Sequence, residues 1–315
     1  MSNVGLVSLI IPCHNEEEVI PETYKRIKAL KDSSGIFFEI IFINDGSTDQ
    51  TGGLLDQLSL QDELVTVLHF SRNFGHQPAI SAGLHESTGD FAIILDADLQ
   101  DPPTVIPEML KVAITQQADV VYGVRTQRAG ENWFKKWTAG LYYRMLNKIS
   151  EVELPLDTGD FRLISRKVID EFCKLREKNK YIRGLLSWVG YKQIPFYYER
   201  EARFAGSTHY SLWKMINFAT KGMIYFSKKP LLVATNLGLF CVFIGLGLVA
   251  YVLVSKYYYN QVVGGWSSLL VTIVFFGGIQ LLSIGLLGQY LGSIFDEVKD
   301  RPEYIIERKT KRPTV

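Results

Sequence analysis

Two stretches near the end of the chain decide most about what it can become. Residues 231–254 run for 24 positions without a charged side chain, and residues 269–295 for 27. About 20 apolar residues in a helix span the roughly 30 Å of bilayer hydrocarbon, so each stretch is long enough to cross. A helix buried inside a soluble domain is the alternative, and two such runs in succession disfavour it. Residues 255–268 between them carry one basic residue, Lys256, and the cluster Tyr257-Tyr258-Tyr259, which suits a membrane interface. Lys221, Lys228 and Lys229 precede the first run; Lys299, Arg301, Arg308, Lys309, Lys311 and Arg312 follow the second. This basic excess predicts a multi-pass protein of the cytoplasmic (inner) membrane, both termini cytoplasmic, with a short external loop.

The rest of the chain is globular in composition. Of 315 residues, 47% are hydrophobic and 21% charged, enough for a sizeable core. The formal net charge of +1 gives no global reason to expect nucleic acid as a partner. Cys13, Cys173 and Cys241 show no metal-like spacing and read as small core residues in a reducing compartment. Residues 1–5 lack a basic stretch followed by an apolar one, so no secretory signal is expected.

Strand-like and helix-like segments alternate through the first 125 residues. Residues 7–13, 37–43, 66–70, 91–95 and 120–124 read as strands, apolar and rich in branched side chains. Residues 17–31 read as a helix, with Val19, Ile20, Ile27 and Leu30 at helical spacing, and 78–85 as a short one. Thr48 stands where it could cap a helix ending near Leu58. This alternation predicts a doubly wound α/β sheet. Beyond it, 131–150 reads as a helix, and 161–165 and 194–200 as strands. Residues 210–227 combine Leu212, Trp213, Ile216, Phe218, Ile224 and Phe226 with Lys214 and Lys221, as expected of an interfacial helix. In the second apolar run Gly278, Gly285, Gly288 and Gly292 share one helix face, suited to packing within the hairpin or to a homo-oligomer.

Asp96-Ala97-Asp98-Leu99-Gln100 ends the fourth predicted strand. Paired carboxylates at the carboxyl end of a parallel strand lie where open α/β sheets bind ligands. Mg²⁺ commonly takes one or two carboxylates plus substrate phosphates, so the pair points to a metal–diphosphate site. Alone, it could equally be a polar strand end leading into the Asp101-Pro102-Pro103 turn. Other strand ends add Pro12-Cys13-His14-Asn15-Glu16-Glu17, Asn44-Asp45-Gly46-Ser47-Thr48-Asp49 and Ser71-Arg72-Asn73-Phe74-Gly75. Helix capping does not account for three acidic strand ends together.

With Thr158-Gly159-Asp160-Phe161-Arg162-Leu163, these motifs resemble those of the family 2 glycosyltransferases, which have the GT-A fold. The resemblance covers residues from about 7 to 230. It comes nearest to the polyprenyl-phosphate sugar synthase branch, which includes dolichyl-phosphate mannose synthase and bacterial undecaprenyl-phosphate glucosyltransferases of the O-antigen glucosylation type. No Gln-x-x-Arg-Trp motif of the processive synthases is present, and two spans are too few to line a translocation pore. Both points favour transfer of a single sugar. His209 stands where relatives commonly carry lysine.

The resemblance implies a GT-A domain at 1–209, an amphipathic juxtamembrane helix at 210–229, a transmembrane hairpin at 230–295 and a basic cytoplasmic tail at 296–315. It implies inverting, metal-dependent transfer to polyprenyl (undecaprenyl) phosphate from a nucleotide-sugar donor. UDP-glucose is the first choice, and GDP-mannose or a modified pentose donor the alternative. A membrane protein that binds nucleotide sugars without catalysis is a reading from another class, which the intact Asp96, Asp98 and Gln100 oppose. Pro12, Glu16 and Asp45 would hold base and ribose, and Asp96, Asp98 and Gln100 would bind Mg²⁺ or Mn²⁺. Arg125 and Arg128 would bind phosphate, as would Arg162, Arg200 and Arg203 on the acceptor. Asp157 would be the base or orienting residue, with Asp160 next. A lipid phosphate with a second pKa of about 6 is already largely ionised, so holding two anions together matters more than a base.

Overall fold

The computed structural model describes residues 5–125, 158–178, 180–199, 229–258 and 265–312. The chain forms two compact units. One holds a sheet with its helices and takes in the chain from Arg301 onward; the other holds two long helices and ends at Asp300.

In the first unit β1 (Val7–Cys13), β2 (Phe38–Asn44), β3 (Val65–Phe70), β4 (Phe91–Ile94) and β5 (Val120–Arg125) alternate with α1 (Ile20–Ser34), α2 (Thr51–Gln61), α3 (His76–Glu86) and α4 (Ile106–Thr115). Then come β6 (Thr158–Ser165), α5 (Arg166–Lys174), α6 (Ile182–Val189) and β7 (Gln193–Tyr198). The sheet order is β7-β5-β6-β4-β1-β2-β3, and an eighth strand, β8 (Ile306–Lys311), lies outside β3. Neighbours among β1 to β4 pair in parallel, as β5 does with β7, while β6 opposes β4 and β5 and β8 opposes β3. Six strands share one direction, the mainly parallel sheet expected. Every residue of β1 is buried, which is why this strand reads as a continuous apolar run rather than an alternation.

Three features differ from the sequence reading. The helix expected to be capped by Thr48 begins at Thr51. Asp49 Oδ1 accepts the Thr51 N–H at 3.0 Å, while the Thr48 N–H turns to Asn15 Oδ1 at 2.8 Å. Helices α5 and α6 were not foreseen; they bury Val168, Ile169 and Phe172, and Ile182, Leu185 and Leu186. Residues 306–311, expected in a basic tail, form β8. Its partners are polar groups on helices: Arg308 bonds Asp56 of α2 and Lys309 pairs with Glu86 of α3. Tyr304 before it stacks on Phe70, ring centroids 5.1 Å apart.

The second unit consists of α7 (Lys229–Tyr257) and α8 (Trp266–Val298), both long and apolar enough to cross a membrane. Among the described residues, a Cβ built on Gly278, Gly285, Gly288 or Gly292 would meet nothing within 4 Å. The expected helices at 131–150 and 210–227 lie outside the described residues.

Candidate active site

Loops leaving β1, β2, β3 and β4 line a cavity of about 320 Å³. Of the residues expected there, Pro12, Glu16, Asp45, Asp96 and Asp98 line it, joined by Asn73 and His76.

The loop after β2 is tied on both sides. Asp45, buried, accepts the Phe74 N–H at 2.7 Å with one oxygen and the Gly75 N–H at 3.0 Å with the other. A carboxylate has about four lone-pair sites, so roughly two remain for a ligand in the cavity. Gly46 has φ +61°, and a Cβ on it would lie 2.3 Å from the Arg72 carbonyl carbon, so glycine alone fits. Across the cavity mouth the Asn15 N–H donates to Ser47 Oγ at 3.0 Å, and the Glu16 N–H to Thr51 Oγ1 at 2.8 Å.

Asp96 and Asp98 follow β4 through a strained turn. Leu99, between Asp98 and Gln100, has φ +59° although its side chain is only 1% exposed. A non-glycine residue there costs of order 1 kcal/mol or more, a strain found at functional sites. The Gln100 N–H bonds Asp98 Oδ1 at 3.1 Å. Asp96 Oδ1 is buried without a hydrogen-bond partner, and His76 Nε2 lies 3.5 Å away. Burial raises the Asp96 carboxyl to about 6; His76 opposes this, and nearby Asp160, Asp101 and Asp98 add to it. An orphaned oxygen among like charges is relieved by a divalent cation, so Asp96 and Asp98 fit one. No group of three His, Cys, Asp or Glu side chains able to hold a metal occurs among the described residues, so such an ion would need further ligands, as from donor phosphates.

Asp160 sits deep beside this pair. Arg183 from α6 grips both its oxygens at 2.6 and 2.9 Å, and His76 Nε2 lies 3.3 Å from it. Burial alone would raise this carboxyl, but Arg183 foremost and then His76 hold it well below the usual range. A carboxylate so held is a weak base, and its geometry suits it instead to orienting Arg183 and His76. His76 is raised in turn: burial pulls it down, but Asp160 and Asp96 outweigh that.

Arg125, at the end of β5, lies 3.8 Å from Asp101, which also accepts the Tyr198 hydroxyl. A Cβ on Gly159 would stand 2.7 Å from the Arg125 guanidinium, so the glycine leaves room for it. Arg162 is buried to 1% exposure and donates to the Gly159 carbonyl at 3.2 Å, and burial pulls its guanidinium down to about 10. Its Nε is buried without a hydrogen-bond partner. Asp157, Arg128, Arg200 and Arg203 lie outside the described residues. His76, Arg183, Asp101 and Tyr198 were missed as site residues. His76 directly follows the Ser71–Gly75 motif and Asp101 directly follows Gln100, so these two were within reach of sequence reasoning.

Comparisons with known proteins identify the family. Residues 8–173 match the family model described as Glycosyl transferase family 2. The chain is 46% identical over 301 residues to the uncharacterized glycosyltransferase YkcC of Bacillus subtilis (strain 168), covering 96% of this chain and 93% of that one. It is 42% identical over 302 residues to the SfII prophage-derived bactoprenol glucosyl transferase of Shigella flexneri, covering 96% and 97%. Among solved structures, glucosyl-3-phosphoglycerate synthase from Mycobacterium tuberculosis in complex with Mn²⁺, uridine-diphosphate and phosphoglyceric acid shares the fold. Its TM-score is 0.51 at 18% identity, over 71% of this chain and 77% of that one. The mixed sheet is of the GT-A type, and the family match takes in Asp45, Asp96, Asp98 and Asp160. With relatives aligned over nearly their whole length, this chain is a glycosyltransferase belonging to glycosyl transferase family 2.

Proposed function

We propose that the chain transfers one sugar, glucose from UDP-glucose, to polyprenyl (undecaprenyl) phosphate at the cytoplasmic membrane face, with inversion and a divalent cation. The observation that carries this reading is the convergence of Asp45, Asp96 and Asp98 on one cavity. The acceptor is supported by the bactoprenol glucosyl transferase relative and by two helices able to cross a membrane. Because β8 follows those helices yet completes the sheet that precedes them, an even number of crossings fits, with both ends of the sheet unit on one side.

In this reading a lipid phosphate oxygen attacks the anomeric carbon as the bond to the diphosphate breaks, and the nucleoside diphosphate leaves. Mg²⁺ or Mn²⁺, held by Asp96 and Asp98 with Gln100 beside them, would offset the charge growing on that leaving group. Pro12, Glu16 and Asp45 receive base and ribose. Arg125, steadied by Asp101 and Tyr198, binds phosphate, and Asp160 fixes Arg183 and His76 near the reacting centre. Asp157 is the base or orienting residue, Arg128 binds phosphate on the donor or the acceptor, and Arg162, Arg200 and Arg203 bind the acceptor phosphate.

The test is incubation of membranes containing the chain with undecaprenyl phosphate and labelled UDP-glucose or GDP-mannose, followed by lipid extraction. Label should enter the lipid from UDP-glucose, stop with EDTA and return with Mg²⁺ or Mn²⁺. Transfer from GDP-mannose alone would replace the donor, and nucleotide-sugar binding with no labelled lipid would favour the non-catalytic reading. An α-linked product by NMR would rule out single displacement.

A further inference from the structure

A row of side chains crosses three strands at the carboxyl end of β2. Asn44 of β2 is in register with His69 of β3, and His69 with Arg308 of β8. Asn44 Nδ2 lies 3.0 Å from His69 Nδ1, and His69 Nε2 lies 3.1 Å from Asp56 Oδ1 on α2. Arg308 bonds the two Asp56 oxygens at 2.9 and 2.7 Å, and the Thr310 hydroxyl adds a third bond at 2.8 Å.

Donor and acceptor accounting fixes the direction of this row. Asn44 Oδ1 accepts the Ser47 N–H at 3.0 Å, so its amide nitrogen faces His69 and donates. His69 Nδ1 therefore accepts, and its proton sits on Nε2, aimed at Asp56. Burial lowers His69 below its usual range against the pull of Asp56, in keeping with the neutral ring this pattern needs. At its inner end the row reaches the cavity loop: the Gly46 N–H bonds the Asn44 carbonyl at 2.9 Å, and Asp45 between them lines the cavity. Breaking one bond leaves the next buried group without its partner, so a change at the edge is carried inward.

We propose that β8 is a positioning element for the donor: Arg308, through Asp56 and His69, fixes Asn44 and thereby the Asp45–Ser47 loop that receives a nucleoside diphosphate. This rests on the nucleotide-sugar reading of that cavity. Asn44, His69, Asp56 and Arg308 are not among the residues that line the cavity. The same strand provides its own control, because Lys309 faces the other way and pairs with Glu86 of α3, away from the loop.

The experiment uses the full chain in detergent with Mg²⁺, measuring UDP and GDP binding by calorimetry, donor KM and kcat, and melting temperature. Arg308→Ala, at a half-exposed position, and His69→Leu should each weaken UDP binding and raise donor KM about three- to tenfold, with a smaller change in kcat. Arg308→Lys and His69→Gln should recover part of the loss, and Lys309→Ala should leave binding unchanged. A lower melting temperature with unaltered UDP affinity and KM in Arg308→Ala would make β8 a staple only and overturn the proposal. An equal effect from Lys309→Ala would also overturn it. Wild-type chain that bound neither UDP nor GDP would overturn the nucleotide reading and this proposal together; wild type binding UDP no better than Arg308→Ala overturns the row alone.

Discussion

Around β1 to β3 the loops are tied by side chains that bond main-chain N–H groups, as Asp45 does with Phe74 and Gly75. Around β4 to β6, by contrast, charged side chains bond one another, as Asp160 does with Arg183 and His76. Main-chain donors are placed by the fold, so the Asp45 loop in the first region is held before any ligand arrives. Paired charges depend on their partners, so the second region can respond when a charged ligand arrives. One edge of the sheet thus combines a rigid half with a half whose electrostatics are exchangeable.

Substitutions can break that contrast. The largest effect is expected in the charged half: Asp98→Asn should lower transfer by about 10²–10³-fold, with circular dichroism unchanged. Activity near wild type would remove Asp98 from the leaving-group site. Next, Arg183→Ala strands the buried Asp160 carboxylate and should cost about 3 kcal/mol in a denaturant titration, since breaking a buried pair leaves an uncompensated charge. Adding Asp160→Asn should return part of that stability, and a purely additive double variant would deny the coupling. In the rigid half, Asp45→Asn keeps one acceptor but turns an amide donor toward a main-chain N–H. It should cost about 1–2 kcal/mol and weaken UDP binding. The smallest effect is expected from Tyr198→Phe, which removes one bond to Asp101 and should cost about 1 kcal/mol. A loss from Asp45→Asn exceeding that of Arg183→Ala would reverse the ranking of the two halves.

The rigid half was the more legible in sequence. Its residues sit in contiguous motifs at strand ends, and a parallel strand buried on both faces announces itself as an apolar run. The charged half depends on pairs brought together by the fold: Asp160 with Arg183 lies 23 residues away, and Asp101 with Tyr198 lies 97. No local pattern marks either. Arg162 stands in a motif, but its burial on β6 is a property of the sheet that no motif announces. Strand β8 was hidden by composition, since a run of Glu, Arg, Lys and Thr looks like tail until its partners on α2 and α3 are known.

The late arrival of β8 has a consequence for biosynthesis. Arg308 and its partner Asp56 are 252 residues apart in the chain. At ribosomal speeds of about 5–20 residues per second, β3 is made on the order of ten seconds or more before the strand that covers it. Throughout that interval the nascent sheet has an open edge, and open edges recruit other strands. The strand that closes it emerges only after both apolar helices have been translated. The sheet is therefore completed last, after both long apolar helices. A chain interrupted within those segments would carry every acidic motif and still present an uncovered β3 to its neighbours.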